Sequence, residues 1–252
     1  MRTGNPTLSA KAFQAAALRG RERAAPERAG TMTAQGAATR TLVLIFLAVV
    51  AGAWSWHIST VRPETLPGWL WGGLIGGLVL ALATIFKKTW APVTAPLYAL
   101  AEGLCLGAVS MLFDRQWPGI VPQAVGLTFG ILAVMLLVYK LRIVRVTERF
   151  RMGVVAATGG ICLVYLVSIA LNLFGMNVPY IHGSGWIGIG FSAFVVVIAS
   201  LNLVLDFDLI EQGAAMGAPK RMEWYAAFAL MVTLVWLYLE ILRLLAKLNS
   251  RR

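Results

Sequence analysis

Acidic side chains inside long apolar runs are the residues of this sequence best placed to do chemistry. An ionised Asp at the middle of a bilayer costs at least about 2.5–3.5 kcal/mol, so such an acid marks a pairing or a function. Five lie in or beside apolar runs: Glu102, Asp206, Asp208, Glu223 and Glu240. On a helix, Asn202 and Asp206 share a face, whereas Asp208 lies about 200° round from Asp206. Only one of the two aspartates is therefore expected to point into a bundle. A carboxylate there loses water, which disfavours its charge, so it can be neutral in one conformation and ionised in another. That is the chemistry of a proton sensor or a cation ligand. If Asp208 is the outward one, it and Glu211 sit at a solvated rim and meet Lys220 and Arg221 across the next turn. Thr233 and Glu240 stack on one face of the last run, and a Glu240 to Arg243 pair would offset the cost of both charges. Glu102, in Ala101-Glu102-Gly103, either lines a polar cavity or bonds a neighbouring helix.

Catalytic constellations are scarce. The two histidines, His57 and His182, are far apart in the chain and have no HExxH or close ligand spacing to hold zinc. Ser168, Ser192 and Ser200 have no His or Lys beside them to act as a base. The middle of the last apolar run has no lysine for a Schiff base. Cys105 and Cys162 lie within apolar runs, where a thiol packs as a small hydrophobe. The sequence is not expected to encode an enzyme.

The elements that must carry these acids follow from composition. The 252 residues are 59% apolar and 13% charged, whereas soluble domains are about half apolar and about a quarter charged. Spans of roughly 20 residues account for most of the apolar content. They are expected over residues 41–58, 68–86, 93–113, 120–139, 153–174, 186–206 and 224–245. Residues 1–40 read as a disordered basic cytoplasmic tail, 41–247 as the membrane domain and 248–252 as a basic C-terminal end. Gly72, Gly73, Gly76 and Gly77 form overlapping small-residue pairs that let helices approach closely.

The net charge of +11 might suggest nucleic acid, but its distribution points to lipid instead. Sixteen of the 22 Lys and Arg lie in the tail and in alternate connections, the densest being the run from Lys140 to Arg151, against Arg62 and Arg115 on the other side. The positive-inside rule then puts the N-terminus in the cytoplasm. Trp54, Trp56, Trp69, Trp71 and Trp117 would anchor the outer interface. Seven crossings leave Lys247, Arg251 and Arg252 outside; a last helix that is re-entrant or shifted would keep them in.

Residues 200–210, reading Ser-Leu-Asn-Leu-Val-Leu-Asp-Phe-Asp-Leu-Ile, precede a short basic turn and a last run containing Leu237-Tyr238-Leu239-Glu240-Ile241. Together with Leu97-Tyr98-Ala99-Leu100-Ala101-Glu102-Gly103, they resemble the Bax inhibitor-1 family in its bacterial YccA-like branch. The resemblance covers about 41–247 and implies an all-α bundle of seven transmembrane helices with the last one central. It implies a pH-dependent passive calcium leak in the plasma membrane, latched on the cytosolic side by two acids on helices six and seven. Phe207-Asp208 matches the first acid better than Leu205-Asp206, and Glu240 stands where the family has an aspartate. No acid in 68–86 matches the family's acid on helix two.

The expected gate is therefore Asp208 with Glu240, which would also offer hard oxygen ligands to calcium, joined by Glu102. Asp206 is the alternative gate. Calcium is expected as a permeant or bound ion, with no other cofactor. The competing reading is a non-conducting protein that modulates a membrane protease or stress-response partner through the tail and the 140–151 loop.

Overall fold

The computed structural model describes residues 30–174 and 185–251. The greater part of the tail and His182 lie outside the described residues. Seven helices are long and apolar enough to cross a membrane. They are α1 (Ala34–Val61), α2 (Leu66–Phe86), α3 (Ala91–Gln116), α4 (Ile120–Lys140), α5 (Glu148–Leu173), α6 (Trp186–Ala215) and α7 (Met222–Asn249). No strand occurs among the described residues, apart from one isolated bridge between Thr31 and Pro219.

Local chemistry sets the helix ends, and this explains why they overrun the apolar runs. Thr33 caps α1 by accepting from the Gly36 N–H, so the helix starts at Ala34 and takes in residues assigned above to the tail. Thr147 caps α5 in the same way, from the Phe150 N–H, and starts that helix inside the charge run. A threonine cap satisfies N–H groups that the first turn leaves orphaned, whatever the polarity of the residues that follow. α1 stops at Val61 because Pro63 disfavours helical backbone at Arg62. α6 runs on past Asp206 to Ala215, and Gly217, at φ 66°, makes the turn that follows.

α7 is the central element. One stripe, Ala226, Leu230, Leu234, Leu237 and Ile241, packs with Ile120 and Ala124 of α4 and Ala199, Leu203 and Phe207 of α6. The adjoining stripe, Ala227, Met231 and Val235, packs with Leu44 and Ala48 of α1 and Ala95, Tyr98 and Ala99 of α3. A helix apolar on several faces is one that is surrounded. α5 joins at the edge, placing Ile161 against Val195 and Ile198 of α6.

Glycines decide how closely the outer helices approach. A Cβ at Gly73 would stand 2.7 Å from the Ala101 carbonyl and the Cys105 N–H, whereas one at Gly72 would meet nothing within 4 Å. Gly52 of α1 and Gly107 of α3 lie backbone to backbone. Contact this close gives dispersion energy where lipid supplies no hydrophobic drive.

Candidate functional site

α6 lies between α5 and α7, so its two aspartates find partners on opposite sides. The Thr233 hydroxyl of α7 donates to Asp206 at 2.6 Å. Asp208 faces α5 and accepts from Arg151 at 2.9 Å and from Gln212 at 2.6 Å. Its side chain is 17% exposed. The expectation that only one aspartate points into the bundle is corrected: a helix with neighbours on two sides engages both. Asn202 donates to Thr158 of α5 at 2.8 Å and to the Ile198 carbonyl, away from the partner of Asp206.

Glu240 is 1% exposed and belongs to a separate cluster. The Tyr165 hydroxyl of α5 donates to its oxygens at 2.9 and 3.0 Å. Arg243 donates to it at 2.6 Å and lies over the Tyr165 ring, 5.1 Å from the centroid. The structure thus brings Glu240 and Arg243 together but does not bring Asp208 and Glu240 together. The two helices run antiparallel, and the Asp206 to Thr233 contact fixes their register. At 1.5 Å per residue, Asp208 and Glu240 are then about 14 Å apart along the axis. The expected carboxyl pair, and with it the expected calcium site on Asp208 and Glu240, is not formed. No group of three or more His, Cys, Asp or Glu converges as a metal site among the described residues.

The expected rim pairs also need correcting. Glu211 accepts from the Tyr139 hydroxyl of α4. Neither Lys220 nor Arg221 forms an ion pair with Asp208 or Glu211. The cause is the length of α6, which carries the turn about 10 Å beyond Asp208 at 1.5 Å per residue. Lys220 instead donates its backbone N–H to the Gly30 carbonyl. Glu102 lies against the backbone of Gly77, where a Cβ would be 2.5 Å from its Oε2, and accepts no hydrogen bond among the described residues.

Glu223 has a role that spacing did not reveal. It is 1% exposed and accepts from both the N–H and the hydroxyl of Thr33, each at 3.1 Å. Its carboxylate lies on Gly36, with Arg40 at 3.8 Å. An acid at the start of α1 suits the positive end of the helix dipole. The Met32 N–H donates to the Ala218 carbonyl at 2.7 Å, so the chain before α1 is strapped to the α6–α7 turn. The signal in the sequence was Thr33 itself, a capping residue three positions before a glycine.

A family model described as Bax inhibitor 1 like matches residues 5–250. The chain belongs to that family. No curated protein and no solved structure matches it. The match takes in both ends that the sequence reading left out, and the seven apolar helices make this Bax inhibitor 1 like chain a multi-pass membrane protein.

Proposed function

We propose that this Bax inhibitor 1 like protein is a pH-sensitive passive leak for cations, calcium foremost, across a bacterial plasma membrane, with its N-terminus in the cytoplasm. The proton-sensitive element is the contact between Asp206 and Thr233, in place of a direct Asp208 to Glu240 pair. The observation that carries this reading is that a carboxylate within a membrane-spanning helix meets the central helix through one hydroxyl.

A hydrogen bond to an ionised acceptor is roughly twice as strong as a neutral one. Protonating Asp206 removes that advantage and frees α6 to shift against α7. Acid therefore favours the loosened state, and leak rises as pH falls. Asp208 and Glu211 line one cavity at the end of α6 and supply oxygen atoms, the donor type that calcium prefers, while Asp206 faces α7 as the sensor. Calcium is passed along these groups as cargo, and the reading assigns no catalytic role and no resident cofactor. Glu240, tied by Tyr165 and Arg243, holds α5 to α7 while α6 moves.

Vesicles carrying the purified protein and a trapped calcium dye test this. Wild type is expected to leak increasingly from pH 8 to pH 6, and Asp206→Asn to leak at a level independent of pH. Background leak in wild type at every pH removes the channel reading. A pH dependence kept by Asp206→Asn but lost in Asp208→Asn moves the sensor to the Arg151 contact.

One observation favours the second reading, a non-conducting modulator of a membrane protease. Lys140 at the end of α4, Arg142 and Arg145 on the α4–α5 connection and Arg149 at the start of α5 are all exposed. A protease that co-purifies with the wild type and is lost on neutralising these four residues, from a protein without calcium leak, would select it.

A further inference from the structure

α1 and α4 both pack on α7 but have almost no contact with each other. The gap between them holds two adjoining cavities that share Ile45 as a wall. The larger, about 1130 Å³, lies at the basic end and is lined by Gln35 and Ala38 of α1, Leu136 of α4, and Lys140, Arg142 and Arg145. The smaller, about 420 Å³, continues towards the opposite end along Val49, Ala53, Phe129, Leu234 and Val235. Its hydroxyls are already used. Thr128 donates to the Ala124 carbonyl, and Ser110 and Tyr238 bond each other. That part of the cleft offers an occupant mainly apolar contact, aliphatic side chains together with Trp56 and Phe129.

The mouth is different. Lys140, Arg142 and Arg145 have no ion pair among the described residues. Two acids share the wall, but Asp208 is held by Arg151 and Gln212, and Glu211 by Tyr139. The cleft is therefore cationic at one end and largely apolar along the rest, open between two helices that face the bilayer. We infer that it binds one anionic phospholipid, with the phosphate among Lys140, Arg142 and Arg145 and an acyl chain along the α1–α4 gap. Basic pockets between membrane helices take anionic headgroups for this reason. The smaller cavity is within the usual size of a ligand site, about 300–1,000 Å³, and the larger one somewhat exceeds it. A second copy of the chain fits less well, because a two-fold contact across the cleft would oppose two cationic mouths.

The cleft shares Asp208 and Glu211 with the proposed cation path, but lipid retention is measured without flux, so the two readings fail separately. Purified protein in detergent is titrated with phosphatidylglycerol, with phosphatidylcholine of the same chains and with glycerol 3-phosphate, and bound mass is read by native mass spectrometry. Wild type is expected to prefer phosphatidylglycerol over phosphatidylcholine by up to about a hundredfold, the factor that three near-surface cations at about 1 kcal/mol each supply. The triple variant Lys140→Gln, Arg142→Gln, Arg145→Gln is expected to lose the preference and keep the weaker binding. Ala53→Trp, at an exposed position that fills the aliphatic part, is expected to weaken both lipids and keep the wild-type melting temperature. Equal binding of the two lipids by wild type overturns the inference, as does a preference that survives the triple variant. Glycerol 3-phosphate binding as tightly as phosphatidylglycerol overturns the acyl-chain assignment, and a dimer that excludes lipid hands the cleft to a second copy.

Discussion

Asp206 and Glu240 each accept from a hydroxyl on a neighbouring helix, but only Glu240 also has a cation. Removing the hydroxyl that serves Asp206 is therefore the cleaner perturbation. Thr233→Val is expected to cost about 0.6 and at most about 1.7 kcal/mol, the range for hydrogen bonds between membrane helices. The cost is expected to shrink as pH falls, because protonated Asp206 makes the weaker bond. Unfolding in mixed micelles at pH 8 and pH 6 measures both, and a penalty independent of pH would detach Asp206 from proton sensing. These acids were legible as anomalies because charge in an apolar run is costly, and the i, i+3 spacing of Glu240 and Arg243 gave one contact outright. What spacing could not give was azimuth relative to neighbours. Asn202 and Asp206 share a face on paper, yet one reaches α5 and the other α7.

The helices themselves read well from hydropathy, and their ends did not. Apolar runs report the thickness of the membrane, whereas Thr33, Thr147 and Gly217 report where helical hydrogen bonding starts and stops. Small-residue stripes had a similar limit: four glycines on α2 were visible as a packing surface, but only the structure separates Gly73 from Gly72. That separation is testable. Gly73→Leu is expected to destabilise by about 1–3 kcal/mol or more through overpacking against Ala101 and Cys105. Gly72→Leu, one residue away in open space, is expected to stay within about 0.5 kcal/mol of wild type. Melting temperatures and gel-filtration profiles of the two variants decide it, and equal behaviour would mean that α2 does not lie on α3 through this face.

For the molecule as a whole, the charge pattern and the seven helices make one further expectation concrete. α7 is 28 residues long, enough at 1.5 Å per residue to cross the bilayer completely. The re-entrant alternative therefore has no shortened helix to support it. Lys247 reaches the Gly188 carbonyl at 3.0 Å and the Ser192 hydroxyl at 2.8 Å, near the start of α6. This corrects the expectation that Ser192 has no Lys beside it: the two are 55 residues apart in the chain but adjacent where α6 and α7 pack antiparallel. Arg251 lies over the Trp186 ring, 3.6 Å from its centroid. A reporter fused after Arg252 is expected outside the cytoplasm and one fused before Met1 inside it. Both reporters on one side would require six crossings and a different path for α7. Overall charge imbalance could suggest this orientation in advance because it counts residues on loops. The contacts that let the cations near the C-terminus lie against the far end of α6 depend on three-dimensional packing and carry no such tally.

The Thr33 contact with Glu223 spans 190 residues of chain. During synthesis, the first helix thus reaches the membrane long before the acid that steadies its start leaves the ribosome. Until then the Thr33 amide and the Arg40 guanidinium can use water or lipid phosphate in its place. A nascent chain stalled before Glu223 would carry a loosely held front end, open to a protease or chaperone, and the emergence of α7 would close it.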